Sequence, residues 1–210
     1  PSEEFGSAEE LANILGSLAQ LEPRVELQVL RGKEATRKAV ERALTEERFD
    51  LFHFSGHGYL QIENKGLPTE QERSGLMLAG GEFLDFLFLK NLSGKPRAVI
   101  LNTCQAHSRF PEDTDAPDPS GLKFFRPRTF AAKILNAGVE AFVGTRWRIH
   151  YQSAGNFASA VYRELADGAS LGDGVIAGRS SLLRKPIEGA ETDWANYQLY
   201  GDGRLRLVPV

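Results

Sequence analysis

Short apolar runs alternate with stretches of helical spacing along most of this chain, and that alternation admits few folds. Leu51 to Ser55, Arg97 to Asn102 and Val139 to Gly144 are of strand length and rich in aliphatic, aromatic or β-branched side chains, and Val25 to Leu30 alternates apolar with polar. Between and after them, apolar residues recur at helical spacing. Leu11, Ile14, Leu15 and Leu18 form one stripe, and Ala39, Val40, Ala43 and Leu44 form another within a helix expected over Ala35–Leu44; further helices are expected over Phe130–Asn136, Ala154–Leu165 and Leu171–Leu183. Strands that alternate with helices predict an open, mostly parallel α/β sheet. Finer expectations follow from single residues. Ser7 with Glu10 reads as a capping box, Phe83–Leu92 as a short helix, and Gly58–Gly81 as a β-rich or loop stretch. Trp194–Tyr200 reads as a short ordered segment, and Arg204–Val208 as a terminal edge strand.

At 210 residues and 41% hydrophobic, the chain can bury one full core, so residues 1–210 are expected to form a single domain. The 25 basic and 28 acidic residues are interspersed, and no basic stripe is dense enough for direct nucleic-acid or anionic-membrane binding. No apolar run approaches the ~20 residues of a membrane helix. The N-terminus is acidic, unlike a secretory signal. A single cysteine excludes an internal disulfide, which fits a cytoplasmic location and leaves one free thiol to explain. Because it starts at Pro1, the chain is expected to be a fragment or a processed product. Residues 105–128, with four prolines and a shift from acidic to basic composition, read as a long exposed loop.

Two of the apolar runs stop at reactive side chains. Phe49-Asp-Leu-Phe-His-Phe-Ser-Gly-His57-Gly58 ends on an imidazole, and Ala98-Val-Ile-Leu-Asn-Thr-Cys104 ends on the one thiol. As neighbouring parallel strands they would bring His57 and Cys104 to the same sheet edge, where open α/β sheets bind ligands. A positive neighbour lowers a cysteine pKa from ~8.5 to roughly 3.5–7.5. Cys104 would then attack a carbonyl carbon while His57 manages the leaving group's proton, with the backbone amides of Gly58 and Cys104 as oxyanion donors. The plainer reading makes Cys104 a small buried hydrophobe. Glycines flanking His57 favour the chemical one, because they are expected to mark a sharp turn at the strand end. His53, between two phenylalanines, reads as a structural histidine, and Ser55 and Thr103 as local hydrogen-bonding residues.

Other sites fare worse. Cys104-x-x-His107 has ligand spacing, but His53 and His57 lie about 13 Å apart on one strand and there is no second cysteine, so neither a metal nor another cofactor is expected. Gly172, Gly174 and Gly178 follow a helical pattern rather than a strand, so they read as a turn and a close helix contact instead of a phosphate loop. Trp147 and Trp194 read as core or rim packing.

In order and spacing, several motifs resemble the CHAT family of caspase-like peptidases. They are Glu34-Ala-Thr-Arg37, the run Phe49–Gly58, Val99-Ile-Leu-Asn-Thr-Cys104, Ala137-Gly-Val-Glu-Ala-Phe-Val-Gly-Thr-Arg-Trp147, Phe157-Ala-x-Ala-x-Tyr162 and Tyr200-Gly-Asp202. The resemblance implies a caspase-like sheet with helices on both faces. It also implies a cysteine endopeptidase with His57 as catalytic histidine, Cys104 as nucleophile and no third catalytic residue. Substrate contacts would fall at Asn102, Arg146 and Trp147. Two positions depart from the pattern. Arg148-Ile-His-Tyr-Gln152 stands where an aspartate is usual, and Asn102 stands where basic-specific relatives of the wider clan carry one. The resemblance further implies a first core strand upstream of Pro1, an attached or associated sensor or scaffold module, a protein or peptide substrate, and a role in bacterial defence or signalling. By analogy, loop 105–128 would be regulatory or autoprocessed. The rival from another class is a catalytically silent caspase-like scaffold; a small-molecule amidase or acyltransferase using the same pair is a third reading.

Overall fold

The structure, a computed structural model, describes residues 7–18, 25–63, 71–104, 127–146 and 149–207. Of residues 7–9, 59–63, 71–74, 104 and 127–130 it describes the backbone alone. Six strands form one sheet in the order β3-β2-β1-β4-β5-β6. They are β1 (Leu51–Glu63), β2 (Gln71–Met77), β3 (Phe83–Asp85), β4 (Ala98–Cys104), β5 (Ala141–Thr145) and β6 (Tyr197–Gly201). The helices are α1 (Ser7–Leu18), α2 (Arg37–Glu46), α3 (Leu87–Asn91), α4 (Pro127–Asn136), α5 (Tyr151–Ala166) and α6 (Leu171–Arg184). At the centre, β1, β4 and β5 are parallel, and antiparallel strands flank them on both sides. The expected open α/β sheet is therefore what forms. Among the described residues no helix is long and apolar enough to cross a membrane.

Alternation along the strands builds a core on each face. Phe52 and Phe54 of β1 join Val99 and Leu101 of β4 in a cluster with Val40 and Leu44 of α2 and Ile134 of α4. On the other face, Ile100 and Val143 pack with Phe157 and Val161 of α5 and Val175 and Leu182 of α6. Helices α5 and α6 approach closely because Gly174 and Gly178 carry no Cβ. One built at Gly178 would lie 2.6 Å from Phe157 Cδ2. Both glycines sit inside α6, so they make the close helix contact without the turn. A capping box, with Ser170 and Asp173 exchanging bonds, starts that helix.

Several local expectations need correction. Strand β1 does not stop at the Gly-His-Gly sequence but runs through it to Glu63. Gly56 serves packing rather than turning: a Cβ there would meet the ring of Phe54, 2.8 Å from Cζ. Phe83–Leu92 divides into strand β3 and the short helix α3. Val25–Leu30 forms no strand, and neither does Arg204–Leu207; the edge is β6 instead. Helix α2 starts at Arg37, two residues later than the expected Ala35, where Thr36 Oγ1 accepts from Ala39 N. The loop expected over 105–128 lies outside the described residues except for its last two, which open α4.

The two halves of β1 differ in their neighbours. From His57 to Glu63 it pairs with β2, whereas from Leu51 to His57 it pairs with β4 on the other side. The Asp50 carbonyl accepts from Ala98 N on β4. Alternation then turns the backbone groups of Leu51, His53 and Ser55 away from β4. There they meet a groove of about 840 Å³, walled by Ile14 and Leu18 of α1, Val40 and Leu44 of α2, and the irregular Val25–Leu30 segment. Among the described residues, no strand pairs with that edge.

Candidate functional site

In the parallel β1–β4 ladder, Leu51 pairs with Ala98, His53 with Ile100, Ser55 with Asn102 and His57 with Cys104. The last pair ends the ladder. His57, 47 residues before Cys104, thus shares its register position because the apolar residues of both runs set the stagger. The same alternation turns the Gly58 amide toward the β4 side, level with Cys104. His57 is half-buried and Gly58 is buried.

One pleat repeat earlier, the sheet carries a buried polar network instead of apolar packing. Glu10, on α1, is only 3% exposed. Its Oε2 accepts from Ser55 Oγ at 2.5 Å, and its Oε1 accepts from Asn102 Nδ2 at 2.5 Å, with His53 Nε2 at 3.1 Å. Burial raises the Glu10 pKa. The His53 hydrogen bond and charge, followed by the bonds from Ser55 and Asn102, outweigh that and hold it below the usual carboxylate value. An ionised carboxylate only accepts, so His53 Nε2 carries its proton toward Glu10. His53 Nδ1 lies 2.9 Å from the Tyr162 hydroxyl. Burial first, and then the Glu10 charge, pushes the Tyr162 pKa up, so the phenol keeps its proton. Tyr197, from β6, donates to Asn102 Oδ1 at 2.9 Å, and its ring stacks on Phe157.

His53 is a structural histidine, as its place between phenylalanines implies. Ser55, expected to bond locally, instead reaches a residue 45 positions away. Asn102 is 3% exposed, with both ends of its amide engaged by Glu10 and Tyr197. Glu10 is no capping residue, because its carboxylate turns inward. Glu10, Tyr162 and Tyr197 went unrecognised in the sequence. The signal for Glu10 was available: it stands four residues before Ile14 and eight before Leu18, a charge on the apolar stripe of an amphipathic helix.

Beyond β5 the chain is held from a distance. The Arg146 amide donates to Asn196 Oδ1 at 2.7 Å, and the His150 amide donates to Asp193 Oδ2 at 3.0 Å. Asp193 is itself buried. Asp193 thus brings a carboxylate to the His150 amide from 43 residues downstream. Arg146 is exposed at the end of β5, while Trp147 lies outside the described residues. Trp194 is half-buried under Arg179, whose guanidinium lies 5.6 Å from the indole. Among the described residues, no three of His, Cys, Asp and Glu gather as metal ligands would.

No curated protein matches the chain. A family model described as the CHAT domain matches residues 3–202. That match spans nearly all of the 210 residues and makes the chain a member of the CHAT family, a caspase-like peptidase family.

Proposed function

We propose that the chain is a cysteine endopeptidase that cleaves a protein substrate with Cys104 and His57. One observation carries the reading: the two residues are register partners at the last pair of the parallel ladder. In this reading the Cys104 thiolate attacks the scissile carbonyl carbon. The C–N bond breaks as His57 gives its proton to the leaving amine, which forms a thioester. His57 then takes a proton from water, whose oxygen displaces the thiolate and releases the acid. In this reading the amides of Gly58 and Cys104 are the oxyanion donors, which requires the last pair of the ladder to open, since its register turns both amides toward the partner strand. No cofactor enters these steps.

Asn102 offers no charge to a substrate. Its amide is spent on Glu10 and Tyr197, so a basic P1 side chain finds no carboxylate at that position. Arg146 and Trp147 are the substrate contacts this reading favours, at the end of β5. Loop 105–128 follows the nucleophile directly and acts as a regulatory or autoprocessed segment. Profiling cleavage sites in a proteome treated with wild type or with Cys104→Ala tests the function. Cuts that vanish in Cys104→Ala are expected and would reveal the P1 residue. Identical profiles would favour a silent scaffold domain.

The groove beside Leu51–Ser55 supports a further element of the same reading: an apolar strand joined ahead of Pro1 in a longer polypeptide, which also carries the sensor module that switches the enzyme on. Glu10 meets Ser55 and Asn102 near the far end of the β1–β4 ladder, while Leu18 packs at the Leu51 end. Chain entering α1 therefore arrives where a strand parallel to β1 would leave the groove, the end from which a helix following that strand must start. Adding that segment is expected to protect the Leu51, His53 and Ser55 amides from hydrogen exchange. Equal exchange with and without it would contradict the assignment.

A further inference from the structure

An isolated carboxylate is costly to bury, so a helix that carries one on its apolar stripe needs compensation. For Glu10 the compensation comes from both strands of the β1–β4 ladder. Ser55 on β1 and Asn102 on β4 are register partners, and each donates to this one carboxylate. The next pair of the same parity is His57 with Cys104, about 7 Å further along the strands. The far ends of the network are anchored as well: His53 on Tyr162 of α5, and Asn102 on Tyr197 of β6.

We propose that Glu10 is a positioning residue, a cross-brace that fixes the spacing and stagger of β1 and β4 where they present His57 and Cys104. Its consequence for turnover rests on the peptidase reading above, whereas the mechanical part stands without it. Glu10 itself is placed one repeat away from the reacting pair. The carboxylate suits the task because three donors converge on two oxygens: Asn102 and His53 on Oε1, and Ser55 on Oε2. Glutamine keeps one acceptor for the first two and faces Ser55 with an NH₂ that the hydroxyl can accept. Alanine leaves all three donors without that acceptor.

The test uses the full chain as Glu10→Ala, Glu10→Gln and Ser55→Ala. Amide exchange over 55–57 and 102–104 is measured beside kcat and KM on a peptide that the wild type cleaves. Glu10→Ala is expected to speed exchange in those two segments. It is also expected to lower kcat about 100-fold per folded molecule, since a displacement near 1 Å at a reacting pair costs that much, with KM changing far less. Glu10→Gln is expected to restore most of both. Ser55→Ala, which removes one arm alone, is expected to fall between them, and it decides the matter if Glu10→Ala does not fold. Wild-type exchange in both segments, with only the melting temperature lowered, would overturn the proposal and leave an ordinary buried network. A wild type that cleaves no peptide would defeat the peptidase reading, and the exchange data alone would then decide the brace.

Discussion

The two faces of the β1–β4 ladder are built on different principles. On one, Phe52, Phe54, Val99 and Leu101 pack into an apolar cluster with α2 and α4. On the other, His53, Ser55 and Asn102 form a hydrogen-bonded network closed by Glu10. An apolar face leaves the direction of approach free, because burial is non-directional. A buried network does not, since each donor left without an acceptor costs about 1–3 kcal/mol. The polar face is therefore the one that can hold a register to a fraction of an ångström, and His57 follows on that same face.

Substitutions on the two faces should separate stability from activity. Leu101→Ala, on the apolar face and 1% exposed, is expected to cost about 2–5 kcal/mol. Turnover per folded molecule should change little; denaturant unfolding with activity measured on the folded fraction checks both. Gly178→Ala, away from the ladder, puts a methyl group against Phe157 and is expected to cost about 1–3 kcal/mol of overpacking. Wild-type stability in that variant would mean that α5 and α6 can part without penalty. Acid sharpens the contrast more gently. The Glu10 carboxyl is held below its unfolded value of about 4.3, so its bonds from His53, Ser55 and Asn102 stabilise the fold above that pH. That contribution is lost as pH falls through the lowered folded value. Glu10→Gln should flatten this part of the melting-temperature profile, and an unchanged profile would remove Glu10 from the acid response. Arg42→Ala breaks an exposed ion pair with Glu46, whose side chains are 71% and 58% exposed. It is expected to change melting by no measurable amount.

The apolar face was the legible one. Phe52, Phe54, Val99, Leu101 and Phe142 lie in runs whose alternation and length specify buried parallel strands, and from those runs follow the central strands and the pairing of His57 with Cys104. Misreadings arose where one residue type serves two physical ends. Gly56 looks like a turn residue, yet it makes room for the Phe54 ring. Glu10 stands three residues after a serine, as a capping glutamate would, yet its partners lie 43 to 92 positions away. Val25–Leu30 alternates as a strand does, but a strand is made by its neighbour, and beside this segment lies a groove. Asp193 and Asn196, which hold the chain after β5, could not be found by local spacing, since their bonds span 43 and 50 residues.

Titrating the Cys104 thiol tests the central claim most directly. The rate of Cys104 alkylation is followed against pH in wild type and in His57→Ala, with the urea-unfolded chain as the free-thiol reference. Paired with the imidazole, Cys104 should ionise well below the ~8.5 of a free thiol, and removing His57 should return the inflection toward that value. Coincident profiles in the two proteins would contradict the account, for the thiol would then ionise without regard to the histidine.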